Sequence, residues 1–280
     1  MPITGRSTTY CQLPSHTCGL NDLVLDLVLT PEDQSGLRLD PGWSTRWTVR
    51  FKGSAGQSSC AVADLPSRMS DLKPMRRFGW SRRQRHRPGL QFMLCTGRHH
   101  GFESLAEQRL LLVLDFVMVD DVVSQPLELN MATAQGWVKH VPDFLVFGPG
   151  GPWLIDVRPA DLVAAADRIK FAGTAEAALA WGWRYLVVTG WRANVVGTID
   201  ALSAQRRPLS DPFAVVPQLL AAVSRGPVRF GELVVSTAVP VVARAQALHL
   251  IWQHQMVVDL DRPLGEGSLV WAASPSGPTR

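Results

Sequence analysis

Asp156 and Arg158 are the residues whose types and spacing first suggest chemistry. Asp156 lies in an otherwise apolar segment, residues 154–157, and a carboxylate buried there is costly unless a cation or a metal ion neutralises it. Because side chains alternate along a strand, Asp156 and Arg158 are expected to point to the same face. The pattern leaves two interpretations open: a structural ion pair between these residues, or a site in which the carboxylate binds a metal ion.

Two further carboxylates precede this pair in the chain. Asp143 follows Pro142 at or near the start of another apolar segment, where it is either a site residue or a turn residue. Glu107 lies three residues after Ser104, which is the spacing of a helix capping box. Glu107 therefore either caps a helix or joins the other acidic side chains.

A mixed α/β unit is predicted to position these residues. Hydrophobic periodicity and turn residues predict helices over residues 104–116 and 160–183 and strands over 122–131, 137–147, 153–157 and 185–189. The first of these strands contains Pro126, which indicates an edge strand or a bulged one. The Gly/Pro turn at 148–151 would join the second and third strands into a hairpin. Asp143 and Asp156 lie on the two strands of this hairpin, and the helix that carries Glu107 could pack beside it.

The carboxy-terminal part has a different predicted order of elements. Helices are predicted over 213–223, 228–233 and 241–255, followed by strands over 256–260 and 268–272. Three helices followed by a hairpin is the layout of a winged-helix domain, in which one helix enters the DNA major groove. Arg244 lies on the third helix and is a candidate DNA contact. The same layout also serves protein–protein contacts.

A basic segment precedes the predicted α/β unit. Residues 73–98 contain eight cations and no carboxylate, namely Lys73, Arg76, Arg77, Arg82, Arg83, Arg85, Arg87 and Arg98. Such a run is either a solvated linker or a segment that contacts DNA phosphates. The interleaved aromatic residues Phe78 and Trp80 favour nucleic acid, so the six arginines between residues 76 and 87 are candidate DNA-binding residues.

The acidic pattern resembles the PD-(D/E)XK signature of restriction-endonuclease-like nucleases. The sequence has Pro142-Asp143, then twelve residues, then Asp156-Val157-Arg158. Together with Ser104-Leu105-Ala106-Glu107, the Gln125-Pro126 pair and Val141-Pro142-Asp143-Phe144, it is similar to the amino-terminal domain of TnsA-like endonuclease subunits of heteromeric transposases. That family also tends to carry a carboxy-terminal winged-helix domain.

The resemblance implies an αβββαβ restriction-endonuclease-like core and a Mg²⁺-dependent DNA endonuclease, with Mn²⁺ as a substitute. By resemblance, Asp143 and Asp156 would bind the metal ion, with Glu107 as a third ligand directly or through water. Mg²⁺ suits such hard oxygen ligands and takes only one or two carboxylates. The substrate would be double-stranded DNA at a mobile-element end, and the partner would be a separate transposase subunit that performs strand transfer.

Arg158 departs from the family, which usually has lysine at this position. Arginine stays charged, so Arg158 can stabilise negative charge but cannot deprotonate water as a lysine with a lowered pKa can. Lys170, on the following predicted helix, is either a candidate for the missing amine or a plain surface lysine. Gln125 is either a strand residue or a further site residue.

These patterns predict three regions in the chain of 280 residues: an accessory region 1–98 with the basic segment 73–98, a nuclease domain 99–204 and a winged-helix-like domain 205–280. Hydrophobic residues make up 46% of the chain, which excludes a wholly disordered protein. The first twenty residues lack the apolar core of a secretory signal, and no apolar run is long enough to span a bilayer. A cytoplasmic protein with no membrane partner is therefore expected.

Two other functions stay open on the sequence. A non-catalytic regulator would bind DNA through the winged helix and keep the Asp-Val-Arg core as a scaffold. A restriction or defence nuclease would use the same core on other DNA.

Overall fold

The computed structural model describes residues 12–39, 45–53, 55–61, 71–76 and 88–273. The chain is mixed α/β and divides into two compact units. The central unit is Val24–Gly190, and the terminal unit combines Met1–Leu23 with Trp191–Arg280. Within the described ranges, none of the helices is both long and apolar enough to cross a membrane.

The elements follow one another along the chain in three groups. Up to residue 102 they are α1 (Leu20–Leu23), β1 (Val24–Asp26), α2 (Pro31–Ser35), β2 (Arg46–Val49), β3 (Ser58–Ala61), β4 (Gly89–Met93) and β5 (Arg98–Phe102). Next come α3 (Leu105–Phe116), β6 (Asp121–Ser124), β7 (Leu127–Thr133), β8 (Gly136–His140), β9 (Phe144–Phe147), β10 (Trp153–Val157), α4 (Ala165–Leu179) and β11 (Arg184–Trp191). The last are α5 (Val195–Ser203), α6 (Val215–Val223), β12 (Val228–Arg229), α7 (Phe230–Val235), α8 (Pro240–Trp252), β13 (Met256–Val257) and β14 (Leu269–Ala272).

The first sheet of the central unit has the strand order β1-β11-β10-β9-β6. β9 and β10 pair antiparallel, with Ile155 opposite Phe144, whereas β10 and β11 pair parallel. The turn between β9 and β10 requires glycine, because Gly150 and Gly151 have φ angles of 87° and 98°, which other residues rarely adopt. The predicted hairpin is therefore confirmed.

The predictions of single strands over 122–131 and 137–147 are wrong, because each stretch is broken in two. β6 and β7 are separated by Gln125 and Pro126, and β8 and β9 by residues 141–143. Pro126 has no N–H to donate and Gln125 has a φ of 46°, so a regular strand cannot continue through them. β6 and β9 stay in the first sheet, whereas β7 and β8 belong to a second sheet of order β3-β2-β7-β8.

One hydrophobic core connects the two sheets of the central unit. Its buried residues include Leu145 and Leu154 from the first sheet, Trp47 and Leu127 from the second, and Ala178 from α4. Protein cores are close-packed and resist deformation. The shared core therefore holds the two sheets, and the strand breaks between them, in a fixed arrangement.

Other elements differ from the prediction in extent. The helix expected over 160–183 is a 3-10 turn at Ala160–Leu162 followed by α4, which ends at Leu179. The β4–β5 hairpin was not predicted, and its burial pattern lacks the alternation that marks a strand in a sequence. Helix α5 was also missed; it contains Gly197, and glycine is a poor helix former.

The terminal unit contains a three-stranded sheet of order β12-β14-β13 together with α6, α7 and α8. Residues near the amino terminus belong to the same unit. Ser15 N donates to Val258 O at 3.0 Å, and Leu260 N donates to Leu13 O at 2.9 Å. The compact units therefore have boundaries at residues 23 and 190, while the domain boundaries expected after residues 98 and 204 stay predictions.

Candidate active site

A cleft of about 310 Å³ opens in the central unit where the two strand breaks meet. Gln125 N donates to Asp143 O at 2.7 Å, which joins one break to the other. The cleft is lined by Arg76, Glu103, Gln125, Glu128, Lys139, His140, Val141, Asp143 and Lys170. Three of these residues, Gln125, Asp143 and Lys170, are site candidates from the sequence, and Arg76 is a candidate DNA contact.

Asp143 is held directly before β9, at the edge of the hairpin. Its Oδ2 accepts a hydrogen bond of 2.8 Å from the backbone N–H of Val157 on the neighbouring strand. Burial raises the pKa of Asp143 well above its ordinary value, and the negative charges of Asp156 and Glu107 raise it further, against the opposing effect of the Val157 N–H. Asp143 is therefore a carboxylate surrounded by other acidic groups, and a bound cation would favour its charged form.

Asp156 lies on β10 and is only 3% exposed. Two side chains that the sequence did not indicate as site residues bind it. His140 Nε2 lies 2.9 Å from Oδ2 and 3.0 Å from Oδ1, and Tyr185 Oη donates to Oδ2 at 2.6 Å. Burial, and then the nearby charge of Asp156, raises the pKa of the Tyr185 hydroxyl well above its ordinary value, so Tyr185 stays a donor.

The two missed residues differ in how far the sequence could have indicated them. His140 stands directly before the Val141-Pro142-Asp143 block, so a polar residue at that position was a usable signal. Tyr185 is brought to Asp156 by the parallel pairing of β10 and β11. That pairing depends on tertiary structure, and no local motif marks it.

Glu107 lies in the first turn of α3, where both sequence interpretations apply. Ser104 Oγ accepts a hydrogen bond of 3.2 Å from Glu107 N, as expected for a helix cap. Glu107 Oε2 in turn accepts one of 2.7 Å from Glu103 N. The side chain is buried, and its charge raises the pKa of Asp143. Glu107 therefore closes the helix end and also contributes to the acidic surroundings of Asp143.

Gln125 supplies a further oxygen at the cleft. It occupies the break between β6 and β7 and is 4% exposed. Its Oε1 accepts no hydrogen bond in the described part of the chain, which is uncommon for a buried polar atom. An oxygen in this position can accept from a bound water molecule or bind a cation.

The donor atoms around Asp143 fit magnesium better than a softer metal. Asp143 and Gln125 line the cleft, whereas Asp156 and Glu107 are not among its lining residues and act on Asp143 through their charges. Carboxylate and carbonyl oxygens suit Mg²⁺ and Mn²⁺. Across the described ranges, no group of three or more His, Cys, Asp or Glu side chains is placed to hold a metal ion by itself. Mg²⁺ keeps several waters and takes one or two carboxylates from the protein, so the predicted metal ligands stay a prediction.

Arg158 does not pair with Asp156. Its Nη2 lies 3.1 Å from Asp167 Oδ2, and its Nε donates to Leu162 O at 3.1 Å. Arg158 is also absent from the residues that line the cleft. The structural ion pair between Asp156 and Arg158, one of the two interpretations from the sequence, is therefore wrong, because each residue has a different partner.

Lys170 is the cation from α4 that lines the cleft with Asp143. Its Nζ lies 3.7 Å from Asp167 Oδ1, so Asp167 interacts with Arg158 through one oxygen and with Lys170 through the other. Lys170, on the helix that follows β10, is therefore at the cleft, whereas Arg158 is not among the residues that line it. The catalytic role of Lys170 stays a prediction.

The structure describes two of the seven candidate DNA-binding residues, Arg76 and Arg244. Arg76 lines the cleft, with Nη1 3.9 Å from Glu103 Oε2. In the terminal unit, Arg244 pairs with Glu266 at 2.6 Å, and its guanidinium lies over the ring of Phe230. The other candidates lie outside the described residues: Arg77, Arg82, Arg83, Arg85 and Arg87.

Comparison with known proteins identifies no family for this chain. No family model matches the chain, and no curated protein matches it. The cleft and the acidic motif are therefore the observations from which a function can be inferred.

Proposed function

We propose that the chain is a metal-dependent DNA endonuclease. The observation that carries the proposal is the placement of Asp143 at the cleft, close enough to Asp156 and Glu107 for their charges to raise its pKa. This carboxylate lines a cleft that also contains Lys170 and the unbonded oxygen of Gln125. Acidic groups that repel one another beside a lysine are suited to bind a cation and a phosphate together.

The order of elements supports the same proposal. β7 and β8 belong to the second sheet. Without them, the order along the chain is α-β-β-β-α-β, formed by α3, β6, β9, β10, α4 and β11. This is the order expected for a restriction-endonuclease-like core, and the antiparallel β9–β10 hairpin next to the parallel β11 is compatible with it. Asp156 lies on the hairpin strand β10 and Asp143 lies directly before the other hairpin strand, β9, which is compatible with the PD-(D/E)XK resemblance.

In this proposal Asp143 and Asp156 hold Mg²⁺ or Mn²⁺, with Glu107 as a ligand directly or through water. A bound divalent cation lowers the pKa of water and stabilises negative charge on a phosphate. His140 and Tyr185 fix the orientation of Asp156 through their hydrogen bonds. Such outer partners of a ligand keep its oxygens in place when the metal ion binds.

Lys170 is the residue that acts on the substrate phosphate. Its ammonium group shares the cleft with Asp143, where a cation stabilises the negative charge that develops at phosphorus. Arg158 positions the start of α4 through Asp167, and Lys170 lies on that helix. Arg158 thus contributes indirectly, and arginine at this position is compatible with activity.

The finer proposal is a TnsA-like subunit that cuts DNA at mobile-element ends beside a separate strand-transfer subunit. It is supported by the resemblance of the motifs and by the terminal unit, whose order α6, β12, α7, α8, β13, β14 is compatible with a winged-helix domain. That unit would hold double-stranded DNA or the partner subunit. A restriction or defence nuclease would have the same core. A gene for a strand-transfer transposase next to the gene for this chain would favour the TnsA-like subunit over a restriction or defence nuclease.

A non-catalytic DNA-binding regulator is the second candidate. The observation in its favour is that Arg158, at the position of the family lysine, is bound to Asp167 and Leu162 and does not line the cleft. In that case Lys170 would be an ordinary lysine that contacts Asp167, and neither metal binding nor DNA cleavage would be observed.

Nicking of supercoiled plasmid by the purified full chain separates the two candidates. We expect nicking with Mg²⁺ or Mn²⁺ that is abolished by Asp143→Ala and retained by Asp161→Ala, a control at an exposed acidic residue. A subunit that cuts only inside a complex still binds the metal ion, so Mn²⁺ binding is measured by calorimetry on the same proteins. If neither nicking nor Mn²⁺ binding depends on Asp143, the nuclease proposal is overturned.

A further inference from the structure

The second sheet of the central unit has one face in the core and one face toward solvent. Strand pairing places Asn130 opposite both Arg46 and Lys139, and directly opposite residues share a face. We call the solvent-facing side the open face. It carries Arg46, Thr48, Ser59, Glu128, Asn130, Trp137 and Lys139.

The opposite side of the same strands is mainly apolar and buried, with His140 near the cleft as a polar member. Trp47, Val49, Leu127, Leu129 and Met131 all belong to the hydrophobic core of the central unit. The strands therefore alternate between core and solvent, as expected for an antiparallel sheet with one exposed face. The polar and aromatic side chains of the open face do not contribute to that core.

Trp137 is the unusual residue of the open face. It lies on the edge strand β8, is 51% exposed, and stands opposite Ala132, which is buried. A large aromatic side chain exposed to this extent on a sheet is characteristic of surfaces that stack on flat ligands. Its neighbour on the same side of β8 is Lys139, two residues away, and an aromatic next to a cation matches a nucleobase next to a phosphate.

The open face continues directly into the candidate active site. Glu128 and Lys139 belong to the open face and also line the cleft with Asp143. Arg46 on β2 is exposed. Arg50, directly after β2, donates to the carbonyl oxygens of Pro74 and Met75, which precede the cleft residue Arg76. Cations are thus distributed from the open face to the cleft.

The ion pair on this surface does not block a phosphate. Lys139 Nζ lies 2.8 Å from Glu128 Oε1, and the lysine side chain is largely exposed. Exposed ion pairs contribute little to stability and are weakened by salt. A phosphate oxygen can therefore replace the carboxylate of Glu128 as the partner of Lys139.

We propose that the open face binds an unpaired stretch of DNA and guides it to the cleft, with Trp137 stacked on a base and Arg46 and Lys139 on phosphates. The proposal rests on the nuclease function for the identity of the polyanion. An unpaired stretch is required because the faces of paired bases are covered by their neighbours, whereas an unpaired base offers its face to an aromatic ring.

The test is binding of end-labelled DNA to the full chain in metal-free buffer, followed by fluorescence anisotropy. Two probes of the same length and sequence are compared, a duplex with an unpaired internal bubble and a fully paired duplex. We expect tighter binding of the bubble probe and a loss of about tenfold in its affinity for Trp137→Ala, since one aromatic stack on a base has this effect. Trp137→Tyr retains most of the affinity because tyrosine also stacks.

Leu179→Ala is the control, because Leu179 is 70% exposed and lies on α4 in the central unit, outside both the open face and the cleft lining. We expect no change in affinity for this variant. Arg46→Gln should reduce the dependence of log K on log salt concentration by about 0.7, the value for one phosphate contact on a single strand. Equal affinity of wild type and Trp137→Ala for the bubble probe, or no binding by the wild type, overturns the proposal.

The two proposals fail in different ways. If Trp137→Ala binds the bubble probe as well as the wild type while plasmid nicking depends on Asp143, the open face is not the binding surface and the nuclease proposal stands. If Trp137→Ala weakens binding but neither nicking nor metal binding depends on Asp143, the DNA-binding face stands and the nuclease proposal fails. The binding measurement contains no divalent metal and is therefore independent of cleavage.

Discussion

Tyr185 Oη donates a hydrogen bond of 2.6 Å to Oδ2 of Asp156 in the interior of the central unit. The same oxygen lies 2.9 Å from His140 Nε2. A buried carboxylate is tolerated only when hydrogen bonds or cations replace the water that it loses. These two side chains perform that role and fix the direction in which the carboxylate points.

Replacement of Tyr185 by phenylalanine should therefore reduce stability. The ring is kept and only the donor to Asp156 is lost, so we expect a decrease of about 2 kcal/mol in the free energy of unfolding, as for a hydrogen bond to a charged group. Denaturant unfolding measures it. Thr189→Val, which removes a more exposed hydrogen bond to Leu25 O, should cost less; an equal effect of the two variants would contradict this role of Tyr185.

Asp143→Asn should raise the melting temperature at neutral pH in metal-free buffer. The pKa of Asp143 is raised in the folded protein, so its contribution to stability is fully present below the unfolded pKa of about 3.9 and is lost as the pH rises through the folded pKa. Asparagine does not ionise, so the variant does not lose stability as the pH rises. Its side-chain oxygen can still accept the hydrogen bond from the Val157 N–H. Thermal unfolding from acidic to neutral pH tests it.

The control for this experiment is Asp161→Asn, at an exposed residue for which no such effect is expected. The difference in melting temperature between Asp143→Asn and the wild type should grow as the pH rises. A difference that is constant with pH would show that ionisation of Asp143 does not change stability. A difference that favours the wild type at neutral pH would show that the charged form of Asp143 is stabilising.

Binding of a divalent metal ion should offset the loss of folding stability that repulsion between Asp143 and its acidic neighbours causes. A ligand that binds only the folded state stabilises it by mass action, by about 2.7 kcal/mol at about one hundred times its Kd. We expect Mg²⁺ or Mn²⁺ to raise the melting temperature of the wild type, and a chelator to remove the effect. Asp143→Ala should show no such increase; an equal increase in that variant places the metal elsewhere.

Lys170 and Arg158 should differ in their effect on cleavage. Lys170→Met removes a cation from the cleft, and we expect the nicking rate to decrease about a hundredfold or more, as for loss of a catalytic group. Arg158→Gln breaks an exposed contact with Asp167 and should cost less than about tenfold. Single-turnover nicking rates measure both, and the reverse ranking would make Arg158 the acting cation.

The sequence predicted the parts of the fold that depend on local signals. The Ser104 cap begins α3 where the spacing indicated, and the glycine turn closes the β9–β10 hairpin. Asp156 could be selected because a carboxylate in an apolar strand is costly, and Asp143 because it follows Pro142 at the start of an apolar segment. Each of these inferences needs only residues that are close together in the chain.

Features that depend on tertiary contacts could not be predicted. Alternation indicates a strand but does not say in which sheet it lies, so the breaks at Gln125 and before Asp143 were missed although Pro126 was noted. Tyr185 reaches Asp156 only because β11 pairs with β10. Arg158 was expected on the face of Asp156, but Asp167 on α4 binds its guanidinium.

The hydrogen bond from Gln125 N to Asp143 O has a consequence for how such a chain can evolve. Both peptide segments pass from one sheet to the other at this bond, and one of them carries the carboxylate of Asp143. An inserted or deleted residue in either segment would shift the register of a sheet and displace the carboxylate in the same step. Length variation should therefore be tolerated in the outer loops of this unit and excluded at these two crossings.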